Sequence, residues 1–261
     1  MRSQRLSEAN LSDIRRRLIN LHYSKKVGHL GGNLSSIDVI ALLLNDYCED
    51  SCQLILSKGH SALAFYVALR FVGKISEADL ESALDDGTRF PGHPPFDALN
   101  ETGIAFGTGS LGHGLSLALG MALAKRYRFD ERLTYCVVSD GELQEGQTLE
   151  ALGLAARLGL GNLIVVIDGN GLQGFGSTSD VQHGVDVMSL IGSFDLDLKT
   201  RNGHELNEIR EAIDLRDSSK PLVLWLKTVK GNGVPGIEGK LSSHYWPLTD
   251  KQYAQMFNEV I

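Results

Sequence analysis

The chain is predicted to be an α/β protein with a mostly parallel sheet and helices on both faces, and three observations lead there. Residues 133–138 (Leu-Thr-Tyr-Cys-Val-Val) and 163–167 (Leu-Ile-Val-Val-Ile) are short apolar runs of strand length. Each ends in an acidic, glycine-bearing turn, Ser139-Asp140-Gly141-Glu142 and Asp168-Gly169-Asn170-Gly171. Between the turns, residues 143–160 are rich in Leu, Ala and Glu and long enough for a helix. Strand, helix, strand in this order forms a βαβ unit, whose parallel strands bring Asp140 and Asn170 together at their carboxyl ends. A carboxylate, a carboxamide and glycine-freed backbone at such tips suit a hard divalent cation carrying a diphosphate. Taken singly, Asp140 would read as a helix cap and Asn170 as a turn residue.

The other elements follow in order. Residues 11–22 interleave arginines with Ile14, Leu18, Ile19 and Leu21, which is an amphipathic helix. Gly28-His29-Leu30-Gly31-Gly32-Asn33 breaks it, and Ser35 or Ser36 caps a second helix through residue 44. Leu54-Ile55-Leu56 is a short buried strand ending in Ser57-Lys58-Gly59-His60, followed by a helix over 62–72. Pro91-Gly92-His93-Pro94-Pro95 is confined to a loop by its prolines. The glycine-dense turn 107–114 opens a helix over 115–127. Beyond the central unit come a glycine-rich loop (171–176), a short helix, a weak strand near Leu198, a helix around 205–215 and a strand over 222–226. Segments 231–236 and 243–247 read as loop. With no repeat, low-complexity stretch or linker, residues 1–261 are expected to form one domain.

A formal net charge of −7 argues against nucleic acid or an anionic membrane surface as the main partner. A diphosphate must then be held by metal, backbone N–H groups and local dipoles. Three cysteines make no disulfide framework, and a reducing cytoplasm is the simpler expectation. Cys48 and Cys52 form a lone C-x3-C without a second half, a poor metal site. The basic start Met1 to Arg5 lacks a following apolar region, so it is no secretory signal, and no apolar run reaches transmembrane length. No G-x-G-x-x-G stands between the first strand and its helix, which disfavours a Rossmann nucleotide binder.

His29, His60, His93 and His244 all lie in glycine- or proline-containing loops, where imidazoles can donate to sugar hydroxyls or phosphate and exchange protons near neutral pH. His22, His183 and His204 carry no such context and are expected to be surface or packing residues.

Taken in their order, these residues resemble the thiamine-diphosphate (ThDP) transketolases over almost the whole chain. Asp140-Gly141 through Asn170 is similar to the family's Gly-Asp-Gly, thirty residues, Asn fingerprint, with Ser139 in place of the first glycine. Gly28-His29, Ser57-Lys58-Gly59-His60, Pro91-Gly92-His93-Pro94, Gly109 to Gly114, Glu145-Gly146 to Glu150 and Ser243-His244 resemble further family markers in the right order. His113 departs from a glutamine beside the cofactor loop and could alter substrate choice; it also reads as a neutral polar stand-in.

The resemblance implies a ThDP-binding α/β domain. Its metal, Mg²⁺ or another divalent cation such as Ca²⁺ or Mn²⁺, would be held by Asp140, Asn170 and the Leu172 carbonyl. Cofactor contacts fall on His60, Gly109, Leu111, Gly141, Glu142, Asn170 and His244. His60 and His244 lie toward the diphosphate, and His29 and His93 toward the ketose hydroxyls, with all four as catalytic candidates. Glu145 and Glu150 match a pair that relays protons across the family's dimer interface. The family's chains continue into a pyrimidine-binding domain and a C-terminal domain, whereas these residues match the first domain. The implied protein is the N-terminal subunit of a split transketolase, partnered by a subunit carrying the pyrimidine domain, in a cytoplasmic heterotetramer working on sugars or sugar phosphates. Another ThDP-dependent acyloin- or deoxysugar-forming subunit, or a non-catalytic ThDP-binding subunit, shares the same motifs.

Overall fold

A computed structural model describes residues 4–48, 53–99, 101–182 and 184–259; the readings of Cys52 and His183 lie outside these described residues. The strands are β1 (Leu54–Leu56), β2 (Thr134–Ser139), β3 (Leu163–Gly169), β4 (Leu172–Gln173), β5 (Gly176–Ser177), β6 (Asp197–Asn202) and β7 (Leu222–Lys227). Five of them form one sheet in the order β1-β2-β3-β7-β6, with every neighbouring pair parallel. β4 and β5 make a separate antiparallel ribbon.

Because strand side chains alternate, each run of apolar residues feeds two cores. Tyr135, Val137, Ile164, Val166, Leu222 and Leu224 face one cluster, shared with α1 (Glu8–Lys25), α2 (Leu30–Leu42), α3 (Ala62–Phe71) and α9 (Leu206–Asp214). Cys136, Val138, Leu163, Val165, Ile167 and Val223 face the other, shared with α5 (Gly114–Tyr127), α6 (Gly146–Leu158) and α8 (Val187–Gly192). The predicted sheet with helices on both faces is therefore the observed one.

The first helix is longer than its apolar stripe, because a reciprocal capping box between Ser7 and Asn10 starts it upstream and Lys26, at φ 52°, stops it. His22 lies within this helix and is a packing residue. It is 1% exposed, its Nε2 finds no hydrogen-bond partner, and burial lowers the ring from 6.5 to about 4. Its folded pKa is below the unfolded value, so the chain loses stability as pH falls from 6.5 toward 4, by about 3 kcal/mol in all. Thermal melts across this window are expected to show that loss in the wild type and a shallower one in His22→Leu.

The second helix corrects the sequence expectation. It begins at Leu30, with His29 at its N-cap, and Ser35 and Ser36 lie inside it rather than capping it. Their hydroxyls turn back to Gly32 O at 3.1 and 2.9 Å. All thirteen residues of α2 are buried, so tertiary packing overrides the weak helix propensity of Gly31-Gly32. At Gly31 the helix also approaches the chain closely, since a Cβ there would lie 2.2 Å from Ser243 Oγ. A π-turn over Leu43–Tyr47 ends the helix.

The glycine-rich loop after β3 contains the β4–β5 ribbon, followed by α7 (Thr178–Val181) before α8. The tail is not all loop: Leu241–His244 is a 3-10 turn, and α10 (Asp250–Glu259) returns against α1, with Tyr253 stacked on Tyr23 at 3.7 Å. α4 (Glu77–Glu81) was likewise unanticipated. The loops leaving β1, β2, β3 and β7 all emerge at the carboxyl edge of the parallel sheet, where ligands of such folds bind.

Candidate functional site

At that edge Asp140 follows β2 as the N-cap of a 3-10 turn, Gly141–Gln144. Its Oδ1 accepts from Gly141 N–H at 2.8 Å and its Oδ2 from Gly171 N–H at 2.5 Å, which joins the β2 and β3 tips. The residue is 5% exposed, and burial, then the charge of nearby Asp168, push its carboxyl up to about 6. An acid so placed gains from a cation. Asn170 sits across from it, its Nδ2 donating to Asp168 Oδ2 at 3.2 Å while its Oδ1 accepts from Leu172 N–H at 3.0 Å. The Leu172 carbonyl accepts from Lys230 Nζ at 3.1 Å.

Beneath these residues lies a charge hub that the sequence reading did not single out. Asp168 is fully buried and paired with the equally buried Lys58, with further hydrogen bonds from Thr228 and, at 2.6 Å, Ser35. Burial pushes the Asp168 carboxyl up, but the Lys58 ammonium and these donors outweigh it and leave it below its ordinary value. Lys58 spends its other protons on Gly32 O at 3.0 Å and Ser36 Oγ at 3.4 Å.

The histidines form a second group. The His29 ring lies 5.5 Å from that of His60 and 5.0 Å from that of His244, and the last two are 6.0 Å apart. His29 is at φ 64°, and its backbone N–H donates to His244 O at 2.9 Å. Gly28 makes that approach feasible, since a Cβ there would meet Tyr245 O at 2.2 Å. Burial chiefly, with Lys230 and Lys58 nearby, holds His29 and His60 below the usual imidazole range. His244 falls to about 3, from burial and then Lys230, whose Nζ is 2.8 Å from its Nδ1. Lys230 is 3% exposed; burial and then Lys58 lower it to about 8, while Asp168 and Asp140 hold it up.

His93 stays exposed, packed beside Gly59 and Gly109, where added Cβ atoms would lie 3.1 and 3.3 Å from its ring. Its loop is tied down by Tyr66, whose hydroxyl donates to Pro91 O at 2.8 Å and His93 O at 3.1 Å. Glu142 points inward, fully buried, accepting from Ser57 Oγ, from Gly112 N–H at 2.8 Å and from Ser139 N–H at 3.3 Å. It thereby links the β1 and β2 tips to the loop of Gly109 and Leu111. His113, at the N-cap of α5, is exposed, as are Glu145 and Glu150 on and beside α6.

The structure thus gathers Asp140, Gly141, Asn170 and Leu172 at one end and His29, His60 and His244 at the other, with Lys230 between them. The sequence reading has Lys58 and Asp168 only as parts of a marker and of an acidic turn, with no role of their own, and it omits Lys230, although each stands at the carboxyl end of a parallel strand. Among the described residues no three His, Cys, Asp or Glu side chains group as metal ligands. The available donors are instead one carboxylate, one carboxamide and carbonyl oxygen, a set for a hard cation.

Comparison with known proteins decides the family. A profile described as "Transketolase, thiamine diphosphate binding domain" matches residues 23–260. The chain belongs to the transketolase family. An apulose-4-phosphate transketolase subunit of Phocaeicola vulgatus is 34% identical over 257 residues, covering 94% of this chain and 90% of that protein. A 6-deoxy-6-sulfo-D-fructose transketolase subunit of a Clostridium species is 35% identical over 238 residues, covering 87% of this chain and 86% of that one. A crystal structure of a Pichia stipitis transketolase variant superposes with a TM-score of 0.83 at 26% identity, over 96% of this chain and 40% of the other. The transketolase fold identified from the fingerprint and its flanking markers is therefore shown, on the family's ThDP-binding domain. This chain spans about two-fifths of the length of the solved transketolase. No helix among the described residues is long and apolar enough to cross a membrane.

Proposed function

We propose that this transketolase-family chain is the diphosphate-binding half of a two-subunit enzyme that moves a two-carbon ketol unit from a ketose, most simply a phosphorylated one, to an aldose. The observation that carries the reading is the juxtaposition at one sheet edge of a hard-donor set, a buried ammonium and three neutral imidazoles. Residues 1–261 act as one domain. Asp140, Asn170 and the Leu172 carbonyl hold Mg²⁺ or a similar divalent cation. The fit is supported by the raised Asp140 acid, which awaits a positive charge; at the other end the buried His29 Nδ1 finds no partner among the described residues. ThDP, when bound, supplies the carbon nucleophile and electron sink for carbon–carbon bond cleavage.

The chain's own residues bind, orient and exchange protons. Gly141 lets its backbone approach the diphosphate, and Gly109 and Leu111 line the neighbouring loop. Lys230 adds an ammonium beside the Leu172 carbonyl, where it meets the diphosphate. Because His244 Nδ1 accepts from Lys230, its Nε2 carries the proton and faces the backbone at Gly174, from which a built Cβ would be 3.4 Å. His60 and His244 lie toward the diphosphate, where an imidazole N–H can donate to phosphate oxygen. His29, kept neutral by burial, can accept a proton from a sugar hydroxyl, and His93 donates at the more open side. Glu142 stiffens the loop that carries Gly109 and Leu111, and Glu145 and Glu150 are available to a second copy.

The remaining groups needed for ring activation belong to a partner subunit with a pyrimidine domain, most simply as two copies of each chain in the cytoplasm. The relatives named as transketolase subunits support this division. Neither the purified chain nor such a partner should transfer ketol units alone, and mixing them with ThDP and Mg²⁺ should start turnover on a panel of ketose phosphates. Turnover by the homogeneous isolated chain would sink the two-subunit reading.

A further inference from the structure

His204 was expected to be surface or packing, yet both of its ring nitrogens are committed. It stands in the loop between β6 and α9, with Nδ1 2.7 Å from Asp38 Oδ2 and Nε2 accepting from Val229 N–H at 2.9 Å. Asp38 is fully buried on α2, and its carboxylate also takes two hydrogen bonds from Arg15 of α1, one of them from Nε at 2.8 Å. Asn232 Nδ2 lies 3.0 Å from the same Nδ1, a donor that can only sit beside an Nδ1–H if the Asn232 amide turns its oxygen to the ring, and the backbone N–H of His204 donates to Asn202 Oδ1 at 3.0 Å.

The contacts with Asp38 and Val229 decide the tautomer. An arginine-paired carboxylate only accepts, so Nδ1 carries the proton; a backbone N–H only donates, so Nε2 is bare. The ring is a rigid spacer between a buried anion and the chain leaving β7. That stretch is clamped residue by residue: Thr228 on Asp168, Val229 on His204, and Gly231 N–H on Gly31 O at 2.9 Å. Lys230 stands between the last two clamps, and its stem runs from this backbone to Leu172 O and His244.

We propose that His204, oriented by Asp38 and Arg15, is a positioning residue that fixes the Val229–Gly231 backbone so that the Lys230 ammonium meets the ThDP diphosphate. The inference rests on the role given to Lys230 above. A purely structural histidine would need only its bond to Asp38; the second bond, to Val229, is what reaches the site.

The two bonds can be separated by side-chain length. In His204→Asn the amide reaches as far as Nδ1, keeping Asp38 satisfied, but falls short of Val229. In His204→Gln the amide reaches the Nε2 position and can accept from Val229. Titration of ThDP onto the chain assembled with its pyrimidine-domain partner in saturating Mg²⁺, followed by calorimetry, should give about tenfold weaker binding for His204→Asn, as for one lost hydrogen bond. The thermal midpoint should stay near wild type, and His204→Gln should recover most of the affinity. Lys230→Met should also weaken binding, and adding His204→Asn to it should cost no more than about twofold further, because the two act through one contact. Wild-type affinity in His204→Asn, or a full additive loss in the double variant, overturns the inference while leaving the role of Lys230 standing. Absence of ThDP binding by the wild type, or indifference to Lys230→Met, overturns both.

Discussion

Asp140→Ala is expected to weaken Mg²⁺-dependent ThDP binding by at least about a hundredfold, since even loss of a ligand's supporting partner costs 10- to 100-fold. The fold should survive. Asp140 is buried beside another carboxylate, and its acid is pushed up to about 6, so at neutral pH its charged form is a burden on the metal-free chain. Removing it forfeits two acceptor contacts, to Gly141 and Gly171, and relieves that repulsion. Calorimetric titration of ThDP with and without Mg²⁺, beside a thermal melt, checks both parts. An Asp140→Ala variant that still binds ThDP in a Mg²⁺-dependent way would remove this residue from the metal site.

Lys58→Met should have the opposite profile, a large loss of stability. The pair it breaks is 1% and 0% exposed at its two side chains, so Asp168 would remain as an uncompensated buried charge. Removing one partner of such a pair costs about 3–5 kcal/mol. At about 2–4 °C per kcal/mol for a chain of this size, the melting point should fall by roughly 6–20 °C. Asp168→Asn added to Lys58→Met removes the stranded charge and should restore part of the loss. A single variant that melts with the wild type would show that the hub is dispensable to folding.

Much of the frame could be read from local pattern. Residues 133–138 and 163–167 are apolar on both faces and stop at acidic glycine turns, so their strands and the helix between them followed from period and punctuation alone. The start of α2 did not, because Gly31-Gly32 reads as a break until α3 and the Ser243 segment close around it. α4 was legible in the Ser76–Asp79 capping box and was passed over. In the site, Asp140 and Asn170 were found because thirty residues and a helix separate them in a recognisable unit. Lys58 and Asp168 are 110 residues apart, and a lone charge at a strand tip looks like a solvated end until the sheet order sets β1 and β3 on either side of β2. Lys230 shares that fate: the tip of β7 is as much a ligand edge as the tips of β2 and β3, but nothing around it resembles a fingerprint.

The left-handed backbone at His29 carries a consequence for reading any substitution there. At φ 64° a side chain with a Cβ is under steric pressure, and His, Asn and Asp tolerate the region better than most residues. That conformation aims the residue's N–H at His244 O and also sets the first turn of α2, whose Asn33 amide donates to His29 O at 2.8 Å. An alanine at position 29 therefore removes an imidazole and loads a spring at once: part of any rate deficit would come from a helix start that relaxes and drags two other histidines out of register. Asparagine, which is at ease in that twist, deletes the ring while sparing the hinge, so the ratio of the two variants divides chemistry from scaffolding.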